Sequence, residues 1–110
     1  MLIPAGDFDA VVPQLAEDKA EALSEMLRLM GEPNRLRIIV ACLQEPRAVG
    51  EMATALGMTP SLTSHHLRLL KAARLVKAEK RGKQVFYVAA DNHVRHVVGD
   101  LLDHINEDWT

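Results

Sequence analysis

An Asp-x-His, Asp91 and His93, is followed eleven residues after its histidine by a His-x-x-Glu, His104 and Glu107. Imidazole nitrogens and carboxylate oxygens in equal number are a ligand set that suits a divalent ion, zinc above all, in four-coordinate geometry. Between the two pairs, Val94, Val97, Val98, Leu101, Leu102 and Ile105 recur at helical spacing. At about 100° per residue, His93 and His104 fall roughly 20° apart on one face, at the edge of that apolar stripe. Along the axis they stand about 16 Å apart, while a zinc–nitrogen bond is about 2 Å. One helix cannot close both histidines on one ion. Two copies packed antiparallel about a two-fold axis can: Asp91 and His93 of one chain then meet His104 and Glu107 of the second, giving two equivalent sites per homodimer. Each residue also has a simpler reading, Asp91 as a helix N-cap and Glu107 as a solvated terminal acid. A rival ligand set on the same helix is His96, Asp100 and His104, spaced i, i+4, i+8.

A second chemistry lies upstream. The chain carries a net charge of −2, but residues 61–88 hold seven basic side chains against Glu79 alone, which leaves −8 on the remainder. One basic face on an acidic protein fits a phosphate-binding surface. Within it, "TPSLTSHH" offers Ser61, Thr63, Ser64 and His65, short polar groups able to reach base edges or phosphates. Arg68 follows one turn later, and "KRGK" sets Lys80, Arg81 and Lys83 around a glycine. Double-stranded operator DNA is the expected partner.

The elements that must position these groups are readable in outline. Residues 1–13, with Pro4, Gly6 and Pro13, are expected to form a flexible arm, and 14–110 one winged-helix DNA-binding and dimerisation domain. "LAEDKAEALSEMLRLM" has helical periodicity through Leu15, Leu23, Met26, Leu27 and Met30, and Gly31 is placed to end that helix. The next helix is expected to begin near Pro33, to bury Leu36, Ile39, Val40 and Leu43, and to close at Pro46. A short helix over about 48–56, a turn at Gly57-Met58-Thr59 and a second helix over about 60–72 form a helix-turn-helix, with Thr59 as N-cap and Leu62, Leu67 and Leu70 facing the core. "LVKAEK", "RGK" and "QVFYVAA" read as strand, turn, strand, and a last helix runs from about Asp91 to Glu107. The fold class is mainly α with a small β-hairpin, a dimeric winged helix-turn-helix.

Other classes are disfavoured. No apolar run is long enough to span a membrane, and "MLIPAGDFDAVVP" lacks the pattern of a signal peptide, so a cytoplasmic location and no membrane partner are expected. The single cysteine, Cys42, excludes an intrachain disulfide and reads as a core thiol. A zinc hydrolase needs an open coordination position and a cleft, which a four-ligand site on 110 residues does not offer.

The segments "PNRLRII", "SLTSHHLRLLKAARLV" and "RGKQVFYV", with the terminal Asp-x-His and His-x-x-Glu, resemble the ArsR/SmtB family of metal-sensing winged-helix repressors over about Leu23–Glu107. The last pattern looks like the interhelical site of the zinc-sensing subgroup, falling on Asp91, His93, His104 and Glu107. The resemblance implies a homodimer that binds its operator without metal and releases it when zinc binds between the terminal helices. It also implies a hydrogen bond from the His104 ring to a backbone carbonyl near Arg74. Members with a second site carry a cysteine motif on the first helix of the helix-turn-helix; here that stretch reads "AVGEMA", with Ala48 at the cysteine position, so no thiolate site is expected. Nickel and cobalt relatives recruit further ligands from the tails. The arm here has no histidine and the sequence stops at Thr110, which favours zinc. A nickel or cobalt sensor on the same site, and a winged-helix regulator with no metal response, are the alternatives.

Overall fold

The computed structural model describes residues 15–107; the expected arm, 1–13, lies outside them. Among the described residues, five helices and a three-stranded antiparallel sheet follow in the order α1 (Glu17–Met30), α2 (Pro33–Ala41), β1 (Arg47–Ala48), α3 (Val49–Leu56), α4 (Pro60–Ala72), β2 (Val76–Arg81), β3 (Gln84–Ala89) and α5 (Asn92–Asn106). The architecture is the expected winged helix-turn-helix.

The turn between α3 and α4 is specified locally. Gly57 takes the left-handed conformation at φ 68°, which costs glycine nothing. Thr59 caps α4, its side chain accepting from the Leu62 amide at 3.1 Å, and Pro60 occupies the first turn, where no amide donor is needed. The far end of α4 closes without glycine. Arg74 sits at φ 62°, its amide donating to the Lys71 carbonyl and the Leu75 amide to that of Leu70. This pair of hydrogen bonds is the Schellman pattern, and it turns the chain into β2.

In the hairpin, Arg81 pairs with Gln84 across a two-residue loop. Gly82, at φ 62°, supplies the left-handed first position that such a loop requires. Burial along β3 does not alternate. Residues 84 and 85 are exposed, 86 and 87 half-buried, 88 and 89 buried, because the hairpin leaves the body of the domain and burial runs from its base to its tip. The sheet gains a strand that the sequence pattern did not mark: β1 pairs Arg47 with Tyr87 and Ala48 with Phe86.

The core gathers Ile38, Ile39, Cys42 and Leu43 from α2 and its end, Met52 from α3, Leu67 and Leu70 from α4, Leu75, Val76 and Ala89 around the sheet, and Val98 from α5. Burial pushes the Cys42 thiol up to about 11. Three expectations are corrected here. Helix α2 stops at Ala41, not Pro46, because the Cys42 carbonyl accepts from the Ala89 amide of β3 at 2.9 Å, so the sheet takes the chain over. Leu36, expected inside, is exposed, and Ile38 takes the interior place. Leu62 is likewise exposed, since only Leu67 and Leu70 of the α4 leucines named for the core reach it.

The long helix α1 buries just Leu29. Its periodic apolar face has Leu23 and Leu27 exposed and Met26 and Met30 half-buried. Gly31 ends it as expected, though in a right-handed conformation at φ −74°. Helix α5 is tied to the segment that follows α2 by Arg95, whose Nε donates to the Leu43 carbonyl at 3.2 Å.

Candidate functional site

The exposed arc of α4 is formed by Ser61, His65 and Arg68. Their i, i+4, i+7 spacing puts them on one face. Ser64 is half-buried beside them. Thr63 does not join this face: it is 0% exposed, and its hydroxyl donates to the Thr59 carbonyl at 2.9 Å. As a base-reading side chain it is a correction. It lies two positions from Ser61 and His65 on a helix, which turns it to the opposite side. Leu62 stands exposed among the polar residues, an apolar group of the sort that can meet a thymine methyl.

The hairpin tip carries Lys80, Arg81 and Lys83, all exposed. Arg81 is the ordered member. Its guanidinium lies 5.4 Å from the Phe86 ring centre, and its Nη2 donates to Glu79 at 3.2 Å. Lys80 and Lys83 flank it as exposed point charges suited to phosphate.

The second constellation lies on α5. Asp91 is its N-cap, Oδ1 accepting from the Val94 amide at 3.0 Å, which engages one of two carboxylate oxygens. His93 is exposed in the first turn, and His104 and Glu107 are exposed at the other end. Among the described residues of one protomer, no three His, Cys, Asp or Glu side chains come together as a metal would require. The His96, Asp100 and His104 set is therefore not gathered either; i to i+8 spans about 12 Å.

The apolar residues of α5 divide into two sectors. Val98 is buried and Val94 and Leu102 half-buried against the body of the domain, while Val97, Leu101 and Ile105 point away from it, Leu101 58% and Ile105 70% exposed. Apolar grooves flank the helix. One, of about 210 Å³, is lined by Leu23, Met26, Leu75 and Val97 and includes His93. The other, of about 460 Å³, is lined by Leu27, Leu36, Leu101 and Ile105 and includes His104. Each histidine of the terminal pattern thus borders an open apolar surface made by α1 and α5.

Two positioning groups were not singled out in the sequence. Glu32 caps α2, accepting from the Arg35 amide at 2.8 Å, and that backbone bond holds its carboxyl below the usual range. His66, next to His65, is buried and bonded to Arg35. An i, i+3 acid before a proline-started helix was the available signal for Glu32; a His-His pair does not show which ring is inside.

Comparison with known proteins agrees with the winged helix-turn-helix fold. Residues 32–78 match the model of the bacterial regulatory protein, arsR family. A transcriptional repressor SmtB homolog of Synechocystis is 36% identical over 90 residues, spanning 82% of this chain and 68% of that protein. An HTH-type transcriptional repressor SmtB of Mycobacterium tuberculosis is 39% identical over 88 residues, 80% of this chain and 65% of that one. The chain therefore spans about two thirds of the length of these curated relatives. For the fold, a possible ArsR-family regulator of Mycobacterium bovis, described as a homodimeric winged helix-turn-helix DNA-binding domain, superposes with a TM-score of 0.75 at 24% identity, covering 100% of this chain and 94% of that one. The chain belongs to the arsR family of bacterial regulatory proteins: it is a DNA-binding transcriptional regulator of winged helix-turn-helix fold, not an enzyme.

Proposed function

We propose that this regulator is a homodimeric repressor whose hold on its operator is weakened when zinc binds between the α5 helices of the two protomers. The observation that carries this reading is the coincidence on α5 of an outward apolar sector, Val97, Leu101 and Ile105, with exposed Asp91 and His93 at one end and His104 and Glu107 at the other. A second copy covering that sector antiparallel brings opposite ends together. The relatives named as repressors, and the homodimer described for the M. bovis structure, support the repressor and the dimer.

The residues fit the metal on chemical grounds. Two imidazoles and two carboxylates match zinc, and Asp91 can remain the α5 cap while offering its second oxygen. When bound, zinc supplies a crosslink that favours one relative orientation of the protomers. The chain's own residues do the rest. Leu101 and Ile105 hold the dimer together. Ser61, Ser64, His65 and Arg68 face the major groove with Leu62, while Lys80, Arg81 and Lys83 reach the flanking backbone. Half-sites stand about one helical turn apart, so a small rotation of one protomer misplaces both α4 helices. An effector acts by this route only through its preference for one orientation.

The test is operator affinity at fixed salt, with a chelator and with stoichiometric zinc, for the unaltered protein and for His104→Ala. Zinc should weaken binding by the unaltered protein about tenfold or more, a coupling in the common range of about 1–3 kcal/mol. His104→Ala should bind the operator as well as the unaltered protein does without metal, and ignore zinc. Equal release of both proteins at the same zinc concentration would rule out the α5 site as the sensor.

A further inference from the structure

The two buried polar side chains among the described residues, Thr63 and His66, both lie on α4. Thr63 is satisfied within its own helix. His66, 7% exposed, is bonded across the domain: Arg35 Nε of α2 donates to its Nδ1 at 3.2 Å. The same guanidinium donates through Nη1 to the Leu29 carbonyl in the last turn of α1 at 3.4 Å. Arg35 is fixed at its root as well, since its amide donates to the Glu32 cap. One side chain therefore ties the helix that carries the exposed Leu23 and Leu27 face to the helix that carries Ser61, His65 and Arg68. The His65 ring, on the exposed side, is 6.0 Å from that of His66, centre to centre.

Arginine keeps its proton in proteins, so it can only donate. The bond to Nδ1 exists only while His66 is neutral and carries its proton on Nε2. A proton on Nδ1 turns the acceptor into a donor facing a donor. It also sets two cations in contact at a part-buried site, which is costly. We propose that the Arg35–His66 hydrogen bond is a proton-operated latch that fixes how α4 is presented to DNA, closed when His66 is neutral and open when it is protonated. His66 acts here as a positioning residue, with no contact to DNA of its own. The latch rests on α4 being the DNA-facing helix and is independent of any metal at α5.

The charged and titratable groups around His66 are Glu32 and Arg35 from the start of α2 and His65 from its own helix. Burial is the largest influence and holds the His66 ring below the ordinary histidine range; Glu32 opposes this, and Arg35 and His65 reinforce it. The sign follows. The unfolded chain takes up a proton here at higher pH than the folded one, so the latch is fully present above about pH 6.5 and is lost as pH falls through the histidine range.

The test uses the full chain, metal-free in chelator, and a duplex selected from a randomised pool for binding at about pH 7.5. His66→Asn keeps an oxygen acceptor near the Nδ1 position and cannot titrate; His66→Ala removes the acceptor. At about pH 7.5, His66→Asn should bind within about twofold of the unaltered protein, and His66→Ala about fivefold more weakly, the scale of one lost hydrogen bond. On moving to about pH 5.5, the unaltered protein should lose roughly threefold or more relative to His66→Asn. Parallel pH profiles for those two proteins would overturn the latch. An NMR titration of the unaltered protein needs no variant: His66 should titrate below about 6.5, and a midpoint at or above that value would overturn it as well. His65→Ala separates the two failures. Unchanged affinity there overturns the DNA-facing reading of α4 and the latch with it; reduced affinity there with parallel His66 profiles overturns the latch alone.

Discussion

Cys42 shows how an interior fixes the chemistry of a residue. The thiolate is the reactive form, and burial moves its formation up to about 11, while the side chain is 0% exposed. A thiol reagent at about pH 8 should leave the native protein unmodified for hours and react with one equivalent on addition of denaturant, read by absorbance. Native-state reaction as fast as that of a free thiol would mean that Cys42 is not in the core. The sequence made this residue legible, because a lone cysteine inside "LRIIVACL" has an apolar neighbourhood whatever the fold. It singled out His65 without showing that His66 is buried, and it did not separate Thr63 from Ser61 and Ser64. Those assignments depend on the rotation of α4 about its axis, which Leu67 and Leu70 set by packing into a core drawn from distant segments.

At the scale of elements, α4 has one end that follows sequence convention and one that departs from it. The Thr59 cap and Pro60 were readable, since threonine before proline satisfies the first turn by local chemistry alone. The closing turn at Arg74 carried no glycine to announce it, yet it adopts the left-handed conformation. That conformation costs a non-glycine residue about 1–2 kcal/mol, and glycine's greater freedom when unfolded takes back roughly 0.5–1 kcal/mol. Arg74→Gly should therefore stabilise the domain by about 0.5–1 kcal/mol, and Thr59→Ala should destabilise it by about 1 kcal/mol. Denaturant unfolding of each variant checks both, and a destabilised Arg74→Gly would show that the Arg74 side chain makes a compensating contact. Strand β1 was illegible for a different reason. Two residues have no period, and their pairing with Phe86 and Tyr87 is a contact across nearly forty positions.

For the whole molecule, the apolar surface of α1 and α5 is what one protomer leaves unfinished. The helical periodicity of "LAEDKAEALSEMLRLM" was correct, but periodicity says only that a face is apolar, not whether the same chain covers it. Here Leu23, Leu27, Val97, Leu101 and Ile105 remain exposed. Covering them with a second copy removes apolar surface from water, which favours association. Leu101→Lys should shift the protein toward monomer in sedimentation without unfolding it, since Leu101 is outside the protomer's own core; an unchanged dimer would place the interface elsewhere. The division of the proposed metal site between two chains has a sharper consequence. A His93→Ala homodimer and a His104→Ala homodimer each lack one ligand at both sites. Mixed by unfolding and refolding together, their heterodimer has one complete site and one missing both histidines. Calorimetric titration of the purified heterodimer should find tight zinc binding return at about one ion per dimer, where neither parent homodimer binds tightly. A heterodimer that binds zinc no better than its parents would contradict a site shared across the two-fold axis.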